Sequence, residues 1–562
     1  MAAQDQQYDV VIVGSGATGG WAAKQLTEAG LSVAVLEAGR KLDPAVDYTE
    51  HKRPFDMPFR GRRLGTQAIQ ARQPVQSLCY QCDEYTNHLF VDDTENPYTT
   101  PADRPFTWLR GRHVGGKSIT WARQTYRLSD YDMKAASRDG FGIDWPIDYA
   151  TLGPYYDIAE RFIGVSGQAE GLPQLPDGQF LPPMALTCGE ELLKTAIRDE
   201  FGRTLTIGRC AILTEDLHGR PKCHYCGPCS RGCRTGSYYS SVSSSLPAAE
   251  ATRRLTLIPN AVVSHVEVDD AGRCRSVYYV DRITRNQREI FGRAVVLCAS
   301  TLESTRIMLN STSDRYPTGL ANSSGALGHY LMDHVMGGGA SGALPVLKRV
   351  PDTRGNRPNG IYIPRFRNLE DRHPDFLRGY GYQGGSNLVK WGHALAIPGF
   401  GSAFKQEVRE SRPWRISIGG FGEHLPRYEN FCELDKAHAD AWGIPILHIS
   451  AAYGENEEKM VDDMADAAEE MLRAVGAEDI EVEREISNPG LAIHEVGTAR
   501  MGADAATSVL NGFEQAHDVS NLFVMDGSGL PSSACQNPTI TFMALATRAC
   551  EYMVEEFRAD RV

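Results

Sequence analysis

Four cysteines fall close together as Cys223, Cys226, Cys229 and Cys233, with the spacing C-x2-C-x2-C-x3-C. Thiolates are soft metal ligands, and loops this short let three sulfurs converge, with Gly227 and Gly232 easing the turns. The spacing is that of the bacterial ferredoxin run, whose fourth cysteine serves another iron–sulfur cluster; Arg234 stands where that run has its Pro. A three-iron cluster and a four-iron cluster with a remote ligand are both open. Two other readings stand beside them. Cys79-x2-Cys82 offers a second pair for zinc, and disulfides or structural thiols remain open because the sequence does not fix the compartment.

A second group of residues is suited to holding a phosphate. Gly14-Ser15-Gly16-Ala17-Thr18-Gly19 has the G-x-G-x-x-G spacing, in which the first glycine makes a tight turn. The second admits a pyrophosphate to the backbone, and the third lets helix pack on strand. An acid about 20 residues further on, Glu37, is placed to accept hydrogen bonds from ribose hydroxyls. The elements needed to position these residues are present in order. Tyr8 to Val13 reads as a buried parallel strand, an Ala/Leu-bearing helix runs to about Glu28 with Gly30 as its stop, and Leu31 to Leu36 reads as a second strand. The helix N-terminus would face the phosphates with free N–H groups. Together they form an ADP-binding βαβ unit, which by itself does not separate FAD from NAD.

The 562 residues exceed what one ordinary domain uses, and 42% hydrophobic with 23% charged residues is globular composition. A net charge of −13 argues against nucleic acid as a partner. No apolar run is long enough for a transmembrane helix, and the N-terminus MAAQDQQYDV shows no export signal. The expectation is a chain with no signal peptide of its own, either cytoplasmic or exported to the periplasm bound to a partner subunit. Ala294 to Leu297 and Leu522 to Met525 read as further buried strands. Met460, Met464, Met471 and Val475 read as the core stripe of a helix stopped by Gly476. The segment 337–360, rich in Gly, Pro and Arg, reads as a loop or domain crossover.

Four further segments resemble the glucose–methanol–choline (GMC) oxidoreductases. They are Gly111-Arg112-His113-Val114-Gly115-Gly116-Lys117-Ser118, Trp145-Pro146 through Tyr155-Tyr156, Gly325 to Gly328 with Asp333-His334, and a C-terminal set. That set is His494-Glu495-Val496-Gly497-Thr498, Asn521 to Ser528 and Asn537-Pro538-Thr539. The resemblance implies an α/β fold. An FAD-binding, Rossmann-like domain would be built from discontinuous segments (1–60, 100–170, 205–335 and 487–562, with the Cys-rich insert 223–233). A substrate domain of β-sheet with helices would use 336–486 with 61–99 and 171–204. It also implies cofactor contacts from Arg112, Gly115, Gly116, Ser118, Val263, Asp526, Gly527, Asn537 and Thr539, besides those of the N-terminal loop.

By the family's pattern His494 would be the base that takes a hydroxyl proton while hydride leaves for the flavin, and Asn537 would orient the same hydroxyl. Asn cannot accept a proton, so His494 would act as the one imidazole of the pair; His334 reads as structural. Relatives that bind FAD covalently carry a His before Trp in the loop after GGxS. Here Thr120 precedes Trp121, so the FAD is expected to be dissociable. The chain is similar to the FAD subunits of bacterial sugar dehydrogenases with a Cys-rich insert, of which the glucoside 3-dehydrogenases look nearest. That similarity implies oxidation of a sugar or glycoside hydroxyl. Electrons would pass through the cluster to a cytochrome or quinone-linked acceptor, beside a small partner subunit. An FAD oxidase using O2 and a non-catalytic electron-relay flavoprotein are the competing expectations.

Overall fold

The computed structural model describes residues 7–60, 71–348, 350–352 and 355–562. The remaining parts of the expected 1–60, 61–99 and 336–486 segments lie outside the described residues. Strand β1 (Gln7–Val13) leads through the glycine loop into helix α1 (Ala17–Glu28) and strand β2 (Val33–Glu37). All five residues of β2 are buried, as expected for a strand covered on both faces. Gly30, with φ +99°, follows α1 and turns the chain back to β2.

These strands sit in a seven-stranded sheet. Its order is Leu255–Pro259, β2, β1, Gln287–Leu297, Cys274–Asp281, Ala261–Val268, with Leu522–Val524 also paired to Gln287–Leu297. The central pairs are parallel, as are those to Leu255–Pro259 and Leu522–Val524. The long strand Gln287–Leu297 serves three neighbours. Its first half pairs antiparallel with Cys274–Asp281, and its last residues run parallel to Leu522–Val524. Helix α1 packs on the sheet and on the helix Thr539–Arg558, and Trp21 of α1 donates to Thr547 across that helix contact at 2.8 Å.

A second, antiparallel sheet has six strands in the order Glu478–Glu483, Gly339–Ala343, Trp414–Gly422, Tyr380–Leu388, Ile361–Ile363, Thr206–Ile207. Helix Glu455–Ala474 packs on one face and buries Met460, Met464 and Met471 with Ile416 and Ile418, so the methionine stripe is core. Gly476, at φ +73°, ends that helix. The 337–360 expectation needs correction: Gly339–Ala343 is a strand inside this sheet. Its glycines reflect close packing. A Cβ at Gly338 would lie 2.4 Å from the Met464 side chain, and one at Gly339 would lie 2.7 Å from the Ile418 carbonyl. The two-residue strand Thr206–Ile207 joins this sheet from within the 205–335 segment that the resemblance gave to the cofactor domain. Among the described residues no helix is long and apolar enough to cross a membrane.

Candidate active site

The glycine loop closes tightly on its surroundings. Gly14 has φ +97°, and a Cβ there would meet the Cys298 carbonyl oxygen at 2.3 Å; one at Gly19 would meet the Gly14 carbonyl at 2.0 Å. At Gly16 the space is open, with nothing within 4 Å of an added Cβ. Gly16 is also the N-cap of α1, which has neither a side-chain cap nor an acid in its first turn. The first amides of α1, including Ala17 and the buried Thr18, and the positive end of its dipole are therefore left for an anion.

Ser15 is the hub that the fingerprint did not single out. Its hydroxyl donates to Glu37 Oε2 at 2.6 Å and accepts from the Gly115 N–H at 3.0 Å, so it joins the N-terminal loop to the GRHVGGKS loop. Ser241 adds a third strand of chain: its hydroxyl donates to the Ser15 carbonyl at 2.8 Å, and its N–H donates to Ser118 Oγ at 3.1 Å. Glu37 also accepts from the Gly39 N–H at 2.9 Å; burial pushes its pKa up and these hydrogen bonds oppose the shift. Gly116, at φ +48°, lies against Gly16. Arg112 pairs with Glu303 at 2.6 Å. Burial alone would raise the Glu303 pKa, but Arg112, Arg306 and Arg110 hold it down at about 2. Beside these loops opens a cleft of about 760 Å³, lined by Arg40, Asn96, Arg112, His113, Asn260 and Trp442 among others. Val263 lies in the strand Ala261–Val268, packed into the main core. An open glycine position and an uncapped helix end, with a cleft beside the Arg112 loop, together fit an ADP moiety.

His494 lies on the loop before the second glycine turn. Asp333 anchors that loop by accepting the N–H groups of Gly490 at 2.7 Å, Ala492 at 3.0 Å and His494 at 2.9 Å. Gly497, at φ +95°, brings the chain back under Tyr330, where a Cβ would meet the carbonyl oxygen at 2.0 Å. Its N–H donates to the Gly527 carbonyl at 3.0 Å, tying the HxxGT loop to the Asp526-Gly527 turn. Asp526 is held by Ser528 and Ser304. Asn537 stands two residues before the helix Thr539–Arg558, which begins with no acid in its first turn.

The imidazole of His494 and the amide of Asn537 meet, Nε2 to Nδ2, at 3.2 Å. Two neighbours of this pair carried no sequence signal for such a role. Gln383, from the strand Tyr380–Leu388, donates to Asn537 Oδ1 at 2.6 Å. His334, expected to be structural, places Nδ1 2.9 Å from His494 Nδ1. Gln383 pairs in register with Gly419, and Gly381 with Phe421, so this face of the second sheet looks onto the site. The Phe421 ring lies 6.2 Å from that of His494, and an added Cβ at Gly419 would touch nothing. Burial, then His334 and Lys117, push the His494 pKa well below the ordinary histidine range. Lys117 also reaches Glu495 at 3.5 Å. Thr120 is buried at the end of the short turn Gly116–Ile119.

Among the described residues the cysteine loop shows no gathered set of metal ligands. Cys223, Cys229 and Cys233 are half-buried against the second core, whereas Cys226 is exposed, and none of the four is in a disulfide. Tyr225, with φ +59°, turns its N–H onto Cys223 Sγ at 3.4 Å. Burial and the neighbouring sulfurs push Cys223 up to about 11 and raise Cys226 and Cys229. Such thiols keep their protons at neutral pH unless a cation compensates them. Among the described residues no three His, Cys, Asp or Glu groups converge to hold a metal ion, and Cys79 and Cys82 are buried in a different small cluster with Leu109. The four sulfurs nevertheless lie near enough to one another for their charges to help raise Cys223, Cys226 and Cys229.

Family models described as GMC oxidoreductase match this chain twice, the N-terminal one over residues 202–336 and the C-terminal one over 426–546. The 2-methyl-1,2-propanediol dehydrogenase of Mycolicibacterium austroafricanum is 29% identical, over 99% of this chain and 97% of that protein. The fructose dehydrogenase large subunit of Gluconobacter japonicus is 28% identical, over 99% and 100% respectively. Among solved structures, pyridoxine 4-oxidase from Mesorbium loti superposes with a TM-score of 0.62 at 18% identity, covering 97% of this chain and 98% of that one.

Proposed function

The chain belongs to the GMC oxidoreductase family, whose members act on CH–OH groups, and on that footing we propose that it is an FAD-dependent dehydrogenase oxidising a secondary ring hydroxyl of a sugar or glycoside. The observation that carries this reading is the contact between His494 Nε2 and Asn537 Nδ2. A hydroxyl entering between them meets a ring nitrogen that can take its proton and an amide N–H that can hold its oxygen. FAD, when bound, supplies the acceptor for the hydride that leaves the same carbon. Taking the proton makes His494 an imidazolium. Asn537 stabilises the negative charge growing on the substrate oxygen, and the positive end of helix Thr539–Arg558 adds to that field. The product is a ketone.

Gly14, Gly16, Ala17, Thr18 and Gly19 would hold the pyrophosphate, with Glu37 on the ribose side and Val263 toward the adenine. Arg112, Gly115, Gly116, Ser118, Asp526, Gly527 and Thr539 would enclose the remainder with Asn537. With Thr120 at the place of a linking histidine, the FAD is held without a covalent bond. Likeness to a diol dehydrogenase and to the large subunit of a fructose dehydrogenase supports a dehydrogenase that works with a partner protein and an external electron acceptor. Position C3 rests on the resemblance to glucoside 3-dehydrogenases. The cysteine loop carries no step in this reading; stoichiometric iron with an EPR signal in the purified protein would restore it as the electron exit.

Anaerobic mixing with a panel of sugars and glycosides, read by bleaching of the flavin and by product analysis, tests the proposal. His494→Ala should retain FAD and lose bleaching by about 10²–10⁴-fold, the usual scale for a general base. Rapid bleaching in that variant removes His494 from the mechanism. An iron-free protein that turns over with O2 points instead to an oxidase.

A further inference from the structure

The four contacts around the catalytic pair form one chain with a single direction. It starts at the Ser533 carbonyl, 3.2 Å from His334 Nε2. A carbonyl can only accept, so His334 Nε2 carries a proton. His334 is buried, which pushes its pKa down to about 4, so the ring is neutral and its Nδ1 is a bare acceptor. The partner of that nitrogen at 2.9 Å, His494 Nδ1, must therefore carry a proton. His494 is neutral as well, which leaves Nε2 with an open lone pair. Only a donor satisfies that lone pair, so Asn537 turns its Nδ2 toward it and its Oδ1 away, toward the Gln383 amide N–H at 2.6 Å.

We propose that His334 and Gln383 are positioning residues that set the proton state of the site: His334 fixes His494 in the Nδ1–H tautomer, and Gln383 fixes Asn537 with its N–H groups toward the substrate. This rests on the reading of His494 and Asn537 as the catalytic pair. Without His334, a neutral His494 can hold its proton on Nε2, which is the form unable to accept one from a hydroxyl. Without the Gln383 donor, Asn537 can present its carbonyl oxygen, which repels a forming alkoxide. His334 also gives His494 a neutral acceptor for Nδ1–H while the ring is charged during turnover. Neither residue needs to touch substrate.

The tautomers are read on wild-type holoenzyme by nitrogen-15 NMR of histidine-labelled protein, with His494→Ala and His334→Gln for assignment. The expected result is a protonated Nδ1 on His494 and a protonated Nε2 on His334; the opposite tautomer of His494 overturns the proposal whatever the substrate proves to be. This readout needs no turnover, so it fails independently of the functional reading. In single-turnover flavin reduction, His334→Phe should lower the limiting rate by on the order of 10²-fold with little change in apparent substrate affinity. His334→Gln, which keeps an acceptor for His494 and a donor for Ser533, should recover most of that loss. Gln383→Glu should slow reduction more than Gln383→Met, because a carboxylate cannot donate to Asn537 Oδ1. Equal rates for His334→Phe and wild type at full FAD content overturn the proposal. So does equal damage from Phe and Gln at position 334.

Discussion

Burial withdraws the solvent that would stabilise a charged ring at His494, and His334 and Lys117 add repulsion, so its pKa is pushed down. Glu495, which faces Lys117, offsets part of that charge, while Asn537 and Phe421 contribute none. The sign follows directly. A base works unprotonated, so a lowered pKa keeps it competent in more acid solution. The acid limb of kcat/KM, which reports the free enzyme, should lie below the ordinary histidine value of about 6.5. Lys117→Met should raise it toward that value, and a limb at or above 7 in the parent protein contradicts the burial argument. Asp333 acts on the same residue through the backbone. Its Ala variant leaves two buried N–H groups and one part-buried N–H group without their acceptor, and we expect a loss of about 2–4 kcal/mol in urea unfolding.

Elements bring their own constraints. Gly14 combines a left-handed φ with a Cβ contact of 2.3 Å to the carbonyl of Cys298, just past the strand Gln287–Leu297, so Gly14→Ala strains the turn and pushes the end of that strand away from β1. The expected outcome is a protein that loses FAD absorbance on gel filtration and unfolds with a deficit of more than about 2 kcal/mol. In the second sheet, a Cβ added at Gly338, Gly420 or Gly422 would run into Met464, so glycine at these places lets the helix Glu455–Ala474 approach the strands. Met464→Ala opens a cavity there and should cost about 2–5 kcal/mol, seen as a lower Tm. The helix and its stripe were legible because heptad-like spacing and Gly476 are local signals. The strand Gly339–Ala343 was not, because glycine and alanine carry little strand propensity and only the helix above explains their choice.

At the scale of the whole molecule, the site is built from residues of the second sheet and from loops attached to the first. The first contributes the phosphate loop and the turns at Asp526 and Gly497, and the second contributes Gln383, Gly419 and Phe421. If the FAD is held by such contacts alone, acid precipitation should release all of the yellow colour into the supernatant, and colour left in the pellet contradicts it. The sequence by itself determined the nucleotide fingerprint and the motifs that resemble GMC oxidoreductases and single out His494 and Asn537, because each motif is a short run of residues with local geometric duties. Tertiary structure alone decided which residues govern that pair. His334 and His494 are 160 positions apart, and Gln383 and Asn537 are 154 apart. Contacts at such separations leave no periodicity or spacing to read, because they are set by sheet register and loop closure. The same holds in the opposite sense for the cysteines. Their spacing specifies a chemistry, but whether the sulfurs share a centre depends on how the loop turns against the core, which leaves Cys223, Cys229 and Cys233 half-buried and Cys226 exposed.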